Sequence, residues 1–289
     1  GGWAYVSRGL RWIFLIDALD YNCSKSNSIA SVSVGYFTNL FIPRAGEISR
    51  CTALNQAEKI PVDKLFGTIL IERVIDFIFL FALILLTFFL KLDDLLNFLT
   101  TLQSHQKNGS GGNDTLYIFF AIIVVGTVGF VLLKKSLKES AFYQKIMQFI
   151  DGLKEGFRSI KKMKKKSLFW MHTFSIWIMY FLMTYICFFS MTETSNLSLA
   201  DGLFILVLGG IGMVIPTPGG IGSYHAIVMI GLAVLGVGFI NLNPPDGEIN
   251  PALVFPTIVH VAQTLVAIIM GSISLFVLFL SKKKSHVKS

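Results

Sequence analysis

The chain has 289 residues, of which 53% are hydrophobic, 13% aromatic and only 15% charged, with a mean hydropathy of +0.66. A soluble domain carries about 25% charged residues, so this composition excludes an ordinary soluble enzyme and points to an all-α, polytopic membrane bundle. The net charge of +8 is concentrated in 134–166, with eleven Lys/Arg against three acids, and after Leu280, with four lysines. Basic runs between spanning helices mark the cytoplasmic side and attract anionic headgroups; they are not read as a nucleic-acid surface.

The chain opens Gly1-Gly2-Trp3, with no initiator Met and no secretory signal peptide, and a trimmed start with upstream membrane sequence is expected. Arg8, Arg11 and Lys25 read as neighbours of a cytoplasmic segment, 21–27. Next comes Gly35 to Glu47, apolar but too short to span and interrupted by Pro43 and Gly46; it is expected to turn back on itself. A helix over 65–90 then leaves the cytoplasm, and 91–114, with Asn108-Gly109-Ser110-Gly111-Gly112-Asn113, is expected to be a flexible external loop. Helix 115–133 returns to the basic cytoplasmic segment 134–166.

Helix 168–190 exits again, so 191–200, which has Glu193 and no Lys or Arg, is external. Helix 251–280 runs back to the basic tail, and the loop before it, 241–248, also lacks Lys and Arg. The stretch 201–240 must therefore leave from and return to one side. Its centre, Gly209 to Gly222, holds two prolines and six glycines in fourteen residues, which no continuous helix accommodates. Half-helices over about 202–215 and 221–239 meeting at a broken tip satisfy the backbone; two full crossings joined by a cytosolic turn are the alternative. Irregular backbone at membrane depth needs protein or a water-filled cavity around it.

The two interruptions match: Ile42-Pro43-Arg44-Ala45-Gly46 against Ile215-Pro216-Thr217-Pro218-Gly219. One enters from the cytoplasm and one from outside. That is the pattern of inverted-repeat transporters, whose site lies at midplane between broken helices. The expected organisation is a single transmembrane domain: repeat 1 over about 1–133, a basic linker 134–166, repeat 2 over about 167–280, and a tail 281–289.

Charged groups inside an apolar helix are costly and face the bundle interior. Glu72 lies roughly 12 Å into its helix from Lys64, with Arg73 beside it and Asp76 one turn deeper. The spacing lets Arg73 meet Asp76, and puts Glu72 and Asp76 on one face. They read either as a structural ion pair or as a headgroup and proton site. Arg44, Gly46 and Glu47 sit where a half-helix would begin, and its N-terminal N–H groups make a phosphate seat; Glu47 capping the helix is the plainer reading. At the second interruption Gly219, Gly220 and Gly222 allow close backbone approach, with His225 one turn on; Pro216, Gly219, Gly220 and His225 are candidate substrate-binding residues. His260 and Gln263, a turn apart in the last helix, are candidates for proton coupling or gating, along with Glu72 and Asp76. Cys23, Cys51 and Cys187 share no metal-ligand spacing and read as small packing residues. Neither a nucleophile elbow nor a Walker loop is present, no cofactor is implied, and Asp93-Asp94 stand alone in the expected external loop.

Gly35 through Pro43-Arg44-Ala45-Gly46-Glu47 to Arg50, the Glu72-Arg73-x-x-Asp76 helix, and Pro216-Thr217-Pro218-Gly219-Gly220-Ile221-Gly222 together resemble the lysylphosphatidylglycerol synthase transmembrane-region family, over nearly the whole chain. The resemblance implies a flippase-like domain of the bacterial cytoplasmic membrane that moves a phospholipid, anionic or aminoacylated, between leaflets. Lysine transfer belongs to a separate soluble domain in that family, so a synthase activity is not implied here. Many members carry Glu where this chain has His225. A homodimer and a separate lipid-modifying synthase are the protein partners left open. Two rival readings stand beside transport: a membrane enzyme acting on a lipid-linked substrate, and a noncatalytic partner of a synthase.

Overall fold

The computed structural model describes residues 1–106, 163–240 and 248–287; the expected helix 115–133, most of the basic segment 134–166 and most of loop 241–248 lie outside them. Every regular element among the described residues is helical. In chain order they are α1 (Gly2–Asp17), α2 (Lys25–Asn39), α3 (Gly46–Glu58), α4 (Val62–Leu90), α5 (Leu92–Gln106), α6 (Lys166–Cys187), α7 (Leu199–Val214), α8 (Ser223–Val234) and α9 (Pro251–Val287). α5 falls in a second compact unit, Asp93–Arg158, while the other helices pack together in the first.

Local chemistry explains the boundaries. α7 opens with a capping box: Ser198 Oγ accepts from the Asp201 N–H, and the Asp201 carboxylate accepts from the Ser198 N–H at 2.7 Å. It stops where Ile215 turns extended ahead of Pro216. α3 ends with Lys59 in the left-handed conformation (φ 59°), and Pro61 then starts α4, where its missing N–H costs nothing. The expected flexible loop after residue 90 is instead helical over Leu92–Gln106. Asp93 and Asp94 occupy its first turn, where carboxylates favour a helix start, and no Gly or Pro occurs before Gly109.

The spanning runs expected over 65–90, 168–190 and 251–280 correspond to α4, α6 and α9. Two stretches, Lys166–Ser190 and Pro251–Ser281, are long and apolar enough to cross a membrane on length and composition. α4 adds a 29-residue helix. Their outward faces are bare of polar cover: Phe81, Phe89, Phe174, Ile178, Ile269 and Phe276 are all exposed. A water-facing surface does not carry an apolar belt of this extent, whereas lipid tails cover it at no cost. α2, α3, α7 and α8 are shorter, with 15, 13, 16 and 12 residues; even 16 residues rise only about 24 Å, less than the ~30 Å hydrocarbon core.

Packing partners are exchanged in a reciprocal way. α1 packs on α2 as α6 packs on α7, α3 on α4 as α8 on α9, and α2 on α9 as α7 on α4, while α1 and α6 pack on each other. Side-chain contacts give the sense of each pair. Along α1, Trp3 donates to Ser175 at 3.1 Å, Ser7 bonds His172 at 2.8 Å, and Arg11 lies over Phe169 at 5.8 Å, so α6 runs antiparallel. Asn27 at the start of α2 donates to Ser281 late in α9 at 2.9 Å, and Gly271 meets Phe37 near the other end of α2. Lys91, after α4, pairs with Asp201 at the start of α7, and Gly210 meets Leu80. The open ends of α2 and α3 therefore lie at one end of the bundle, and those of α7 and α8 at the other.

The core beneath this arrangement centres on Trp12, Leu15 and Ile16 of α1 with Leu54, Ile60, Leu65, Ile69 and Phe169. Small residues let the paired helices close: Gly35 faces Gly46 between α2 and α3, and Gly209 and Gly212 face Tyr224 between α7 and α8. The cysteines are free thiols, and Cys51 is fully buried.

Candidate functional site

Between α2 and α3 the chain turns through Leu40–Ala45, with Arg44 in the left-handed conformation (φ 61°). Between α7 and α8 it turns through Ile215–Gly222, where Gly219, Gly220 and Gly222 take φ of 59°, 83° and 85°. Side chains rarely adopt those values, and glycine supplies them freely. Thr217 Oγ1 and Ser223 Oγ, 2.8 Å apart, tie the two sides of this second turn. The observed half-helices, Leu199–Val214 and Ser223–Val234, are close to the expected 202–215 and 221–239 at the break; the second ends earlier because Gly236 and Gly238 again take positive φ.

The two turns meet. Arg44 Nη2 donates to the carbonyl of Val214 at 2.9 Å, placing a cation at the negative end of α7. A side chain on Gly219 would touch Leu40 at 3.6 Å. Around this meeting point is a cleft of about 500 Å³, lined by both turns, by the first residues of α3, and by Arg73 of α4. Arg44, Gly46, Glu47, Arg73, Pro216, Gly219 and Gly220 all line it. Gly46 donates its N–H to Asn39 Oδ1 at 2.7 Å, which fixes the start of α3 against the end of α2.

Arg73 does not meet Asp76. It turns to Glu47 across the α3–α4 contact, with Nε 3.2 Å from Oε1 and both side chains part-exposed. A pair this open to water contributes about 0–1 kcal/mol, so an incoming group displaces it at little cost. Glu72 and Asp76 do share a face, and that face is buried against α1 and α3. Glu72 Oε1 accepts from Arg8 Nη1 and Arg11 Nη2, each at 2.8 Å, while Oε2 accepts from Arg50 Nη2. Asp76 accepts from Arg11 Nη1 at 2.8 Å and Arg8 Nη1 at 2.9 Å. Arg8 also donates to Tyr180 at 2.9 Å, whose hydroxyl lies 3.1 Å from that of Tyr36. Arg50 stacks over Trp12 at 4.4 Å.

Arg8 and Arg11, expected beside a cytoplasmic segment, are thus 5% and 0% exposed inside the bundle. A charge at a helix centre is tolerated where an opposite charge meets it, and α4 supplies two. The spacing of Arg8 and Arg11, three apart in the otherwise apolar α1, is the signal in the sequence; the identity of the partner depends on α1 packing against α4. Arg50, Asn39 and Tyr36 are polar cleft residues that sequence patterning did not single out as site residues.

His225 and His260 lie beside the cleft rather than in its lining. Their rings are 4.9 Å apart, Tyr224 is 5.7 Å from His260, and among the described residues the buried His225 Nδ1 has no hydrogen-bond partner. A methyl group added at Gly220 would stand 3.8 Å from His260 Cε1, which puts the pair beside the second turn. Gln263 is half-buried one turn along α9.

Comparison with known proteins places the chain among membrane domains. The family described as "Lysylphosphatidylglycerol synthase TM region" matches residues 2–241. Among curated proteins, the chain is similar to UPF0104 membrane protein MJ1595 of Methanocaldococcus jannaschii, at 39% identity over 75 residues, covering 25% of this chain and 22% of that protein. The chain thus matches about a fifth of that relative's length. No solved structure matches the chain.

Proposed function

The chain belongs to the lysylphosphatidylglycerol synthase TM region family, a family of membrane domains, and we propose that it is a flippase-like translocase moving a polar-headed lipid between the leaflets of the cytoplasmic membrane. The observation that carries this is the meeting of two broken hairpins, from opposite ends of the bundle, around one charged cleft. In this reading α1–α4 belong to repeat 1 (about 1–133) and α6–α9 to repeat 2 (about 167–280), related by inversion, and α2–α3 and α7–α8 are re-entrant pairs. The reciprocal packing and antiparallel contacts support it, as does the shortness of the four central helices. The basic segment 134–166 and the C-terminal tail orient one end toward the cytoplasm.

A headgroup enters the cleft while its tails stay in lipid. Arg44 and Arg73 receive its negative charge, Glu47 exchanges Arg73 for the ligand or meets a cationic substituent, Gly46, Gly219 and Gly220 let the backbone approach closely, and Pro216 fixes the turn beside them. Glu72 and Asp76 hold Arg50 and the α1–α3–α4 contact in place. His225 and His260, adjacent to the second turn, are the groups through which a proton gates its movement, with Gln263 beside them. Anionic or aminoacylated phospholipid fits a cleft whose arginines outnumber its carboxylate.

The test is reconstitution with fluorescent lipids and a leaflet-selective quencher. Wild type is expected to equilibrate the probe across the bilayer. Arg44→Ala and Arg73→Ala should each slow it about tenfold or more, the loss of one charge-assisted hydrogen bond. If wild type moves no lipid across a broad panel, the translocase reading fails. A new lipid species made by purified protein would instead favour a membrane enzyme.

Orientation is checked separately. Burial, reinforced by the Glu58 and Asp17 carboxylates, pushes the Cys23 thiol up to about 12, so at pH 7 it stays protonated and unreactive. In a Cys187→Ala background, Asn22→Cys and Glu193→Cys are expected to react with an impermeant maleimide from opposite faces of the membrane. Labelling from the same face would remove the inverted arrangement.

A further inference from the structure

The buried ion cluster is not electrically balanced. Arg8, Arg11 and Arg50 face Glu72 and Asp76, three guanidinium groups against two carboxylates, and none of the five is more than 9% exposed. All four carboxylate oxygens are already taken by guanidinium donors. Arg50, 3% exposed, spends one donor on Glu72; among the described residues its buried Nε–H, like that of Arg11, has no hydrogen-bond partner. A buried unpaired donor on an uncompensated charge calls for an acceptor. Arg50 is also the one member of the cluster that lines the cleft.

The cleft around Arg50 is rich in donors. Asn39 accepts the Gly46 N–H through its Oδ1, which leaves its amide NH2 group free to face a ligand, and Arg73, paired with Glu47, lines the same cleft. Donors converging from three helices suit a tetrahedral oxyanion better than a flat carboxylate or a spherical halide.

We propose that the floor of the cleft, at Arg50, is a seat for one phosphate group, either the phosphodiester of a lipid headgroup or a free phosphate, and that Arg50 selects phosphate-bearing ligands over neutral ones. The lipid form of this proposal rests on the translocase reading; the seat itself does not. The missing negative charge of the cluster is supplied by the ligand. Arg44, which spends one donor on the Val214 carbonyl at the tip, holds the two turns together in addition to meeting the headgroup. Trp12, stacked on Arg50, reports occupancy of the seat.

The experiment titrates Trp12 emission of the full chain in detergent, in potassium gluconate. The probes are inorganic phosphate, dihexanoyl phosphatidylglycerol, a short-chain diacylglucosylglycerol and chloride. Saturable changes with phosphatidylglycerol that inorganic phosphate competes away, and that vanish in Trp12→Phe, are expected. Saturation by both probes assigns the phosphate group as the shared determinant, and saturation by the lipid alone assigns the lipid as its source. Arg50→Lys keeps the charge beside Glu72 but loses the Nε–H, and should weaken binding about tenfold. Should that variant not fold, competition in wild type still decides. Equal responses to the glucolipid or to chloride, or none to either phosphate probe, overturn the seat. Phosphate binding without lipid movement would sink the translocase reading alone, and movement of neutral lipid without phosphate binding would sink the seat alone.

Discussion

Glu72→Ala is expected to destabilise the protein by about 3–5 kcal/mol, the cost of removing one partner from a buried ion cluster. Three arginines converge on that carboxylate, which is fully buried. Its loss leaves three guanidinium groups with Asp76 alone. At the few degrees per kcal/mol typical of domains this large, melting should fall by about 10 °C, with loss of a monodisperse peak in detergent. The cause is the unpaired charge and not the lost contact, which the double variant Arg11→Met, Asp76→Leu separates. It removes one charge of each sign and fills the space with apolar atoms, so it should melt closer to wild type than Asp76→Ala does. If the double variant is the worse of the two, uncompensated charge is not what the cluster guards against.

The second large effect is expected at Gly46. A methyl group there would strike the Gly35 carbonyl and stand 2.6 Å from Asn39 Nδ2. The carbonyl belongs to the facing helix and cannot rotate away, so Gly46→Ala must push α3 off α2. Overpacking of this kind costs about 1–3 kcal/mol, and it displaces Glu47 and Arg50, which line the cleft one face further along α3. Lipid movement should fall more than stability does. Gly67→Ala is the matched control: nothing lies within 4 Å of its added methyl, and alanine is the better helix former by about 1 kcal/mol. Both variants are read by melting temperature and by the quencher assay; equal transport in the two would show that the α2–α3 approach does not shape the cleft.

The contrast between these residues shows which features of the fold were legible in advance. α4, α6 and α9 declare themselves through unbroken apolar length, a property each helix owns locally. The turns at Pro43 and at Pro216–Gly222 are likewise local, because a missing N–H and a positive φ act within one turn of chain. Arg44, Glu47 and Arg73 could be picked out as costly groups near those turns. Their partners could not: Arg73 chose Glu47 over Asp76, since α3 crosses α4 on the side that Arg73 faces while α1 covers the other. Arg8 and Arg11 illustrate the same limit. Basic residues near a helix end read as cytoplasmic markers by position, and only the packing of α1 on α4 turns them into counter-ions. At Leu92–Gln106 the failure was different, as flanking glycines outside the helix drew a propensity argument too far inward.

By itself, the sequence determined a helical membrane chain interrupted at two matching Pro-Gly sites, because hydrophobic length and backbone stereochemistry act over a few residues and need no partner. Tertiary structure decided that Arg44 bridges to Val214, that one cleft joins the turns, and that Arg50 lines this cleft while belonging to a cluster of three guanidinium groups and two carboxylates. Those outcomes depend on which helix faces lie against each other across 22 to 170 residues of chain. Pairing between buried charges is a property of that packing, not of either residue alone.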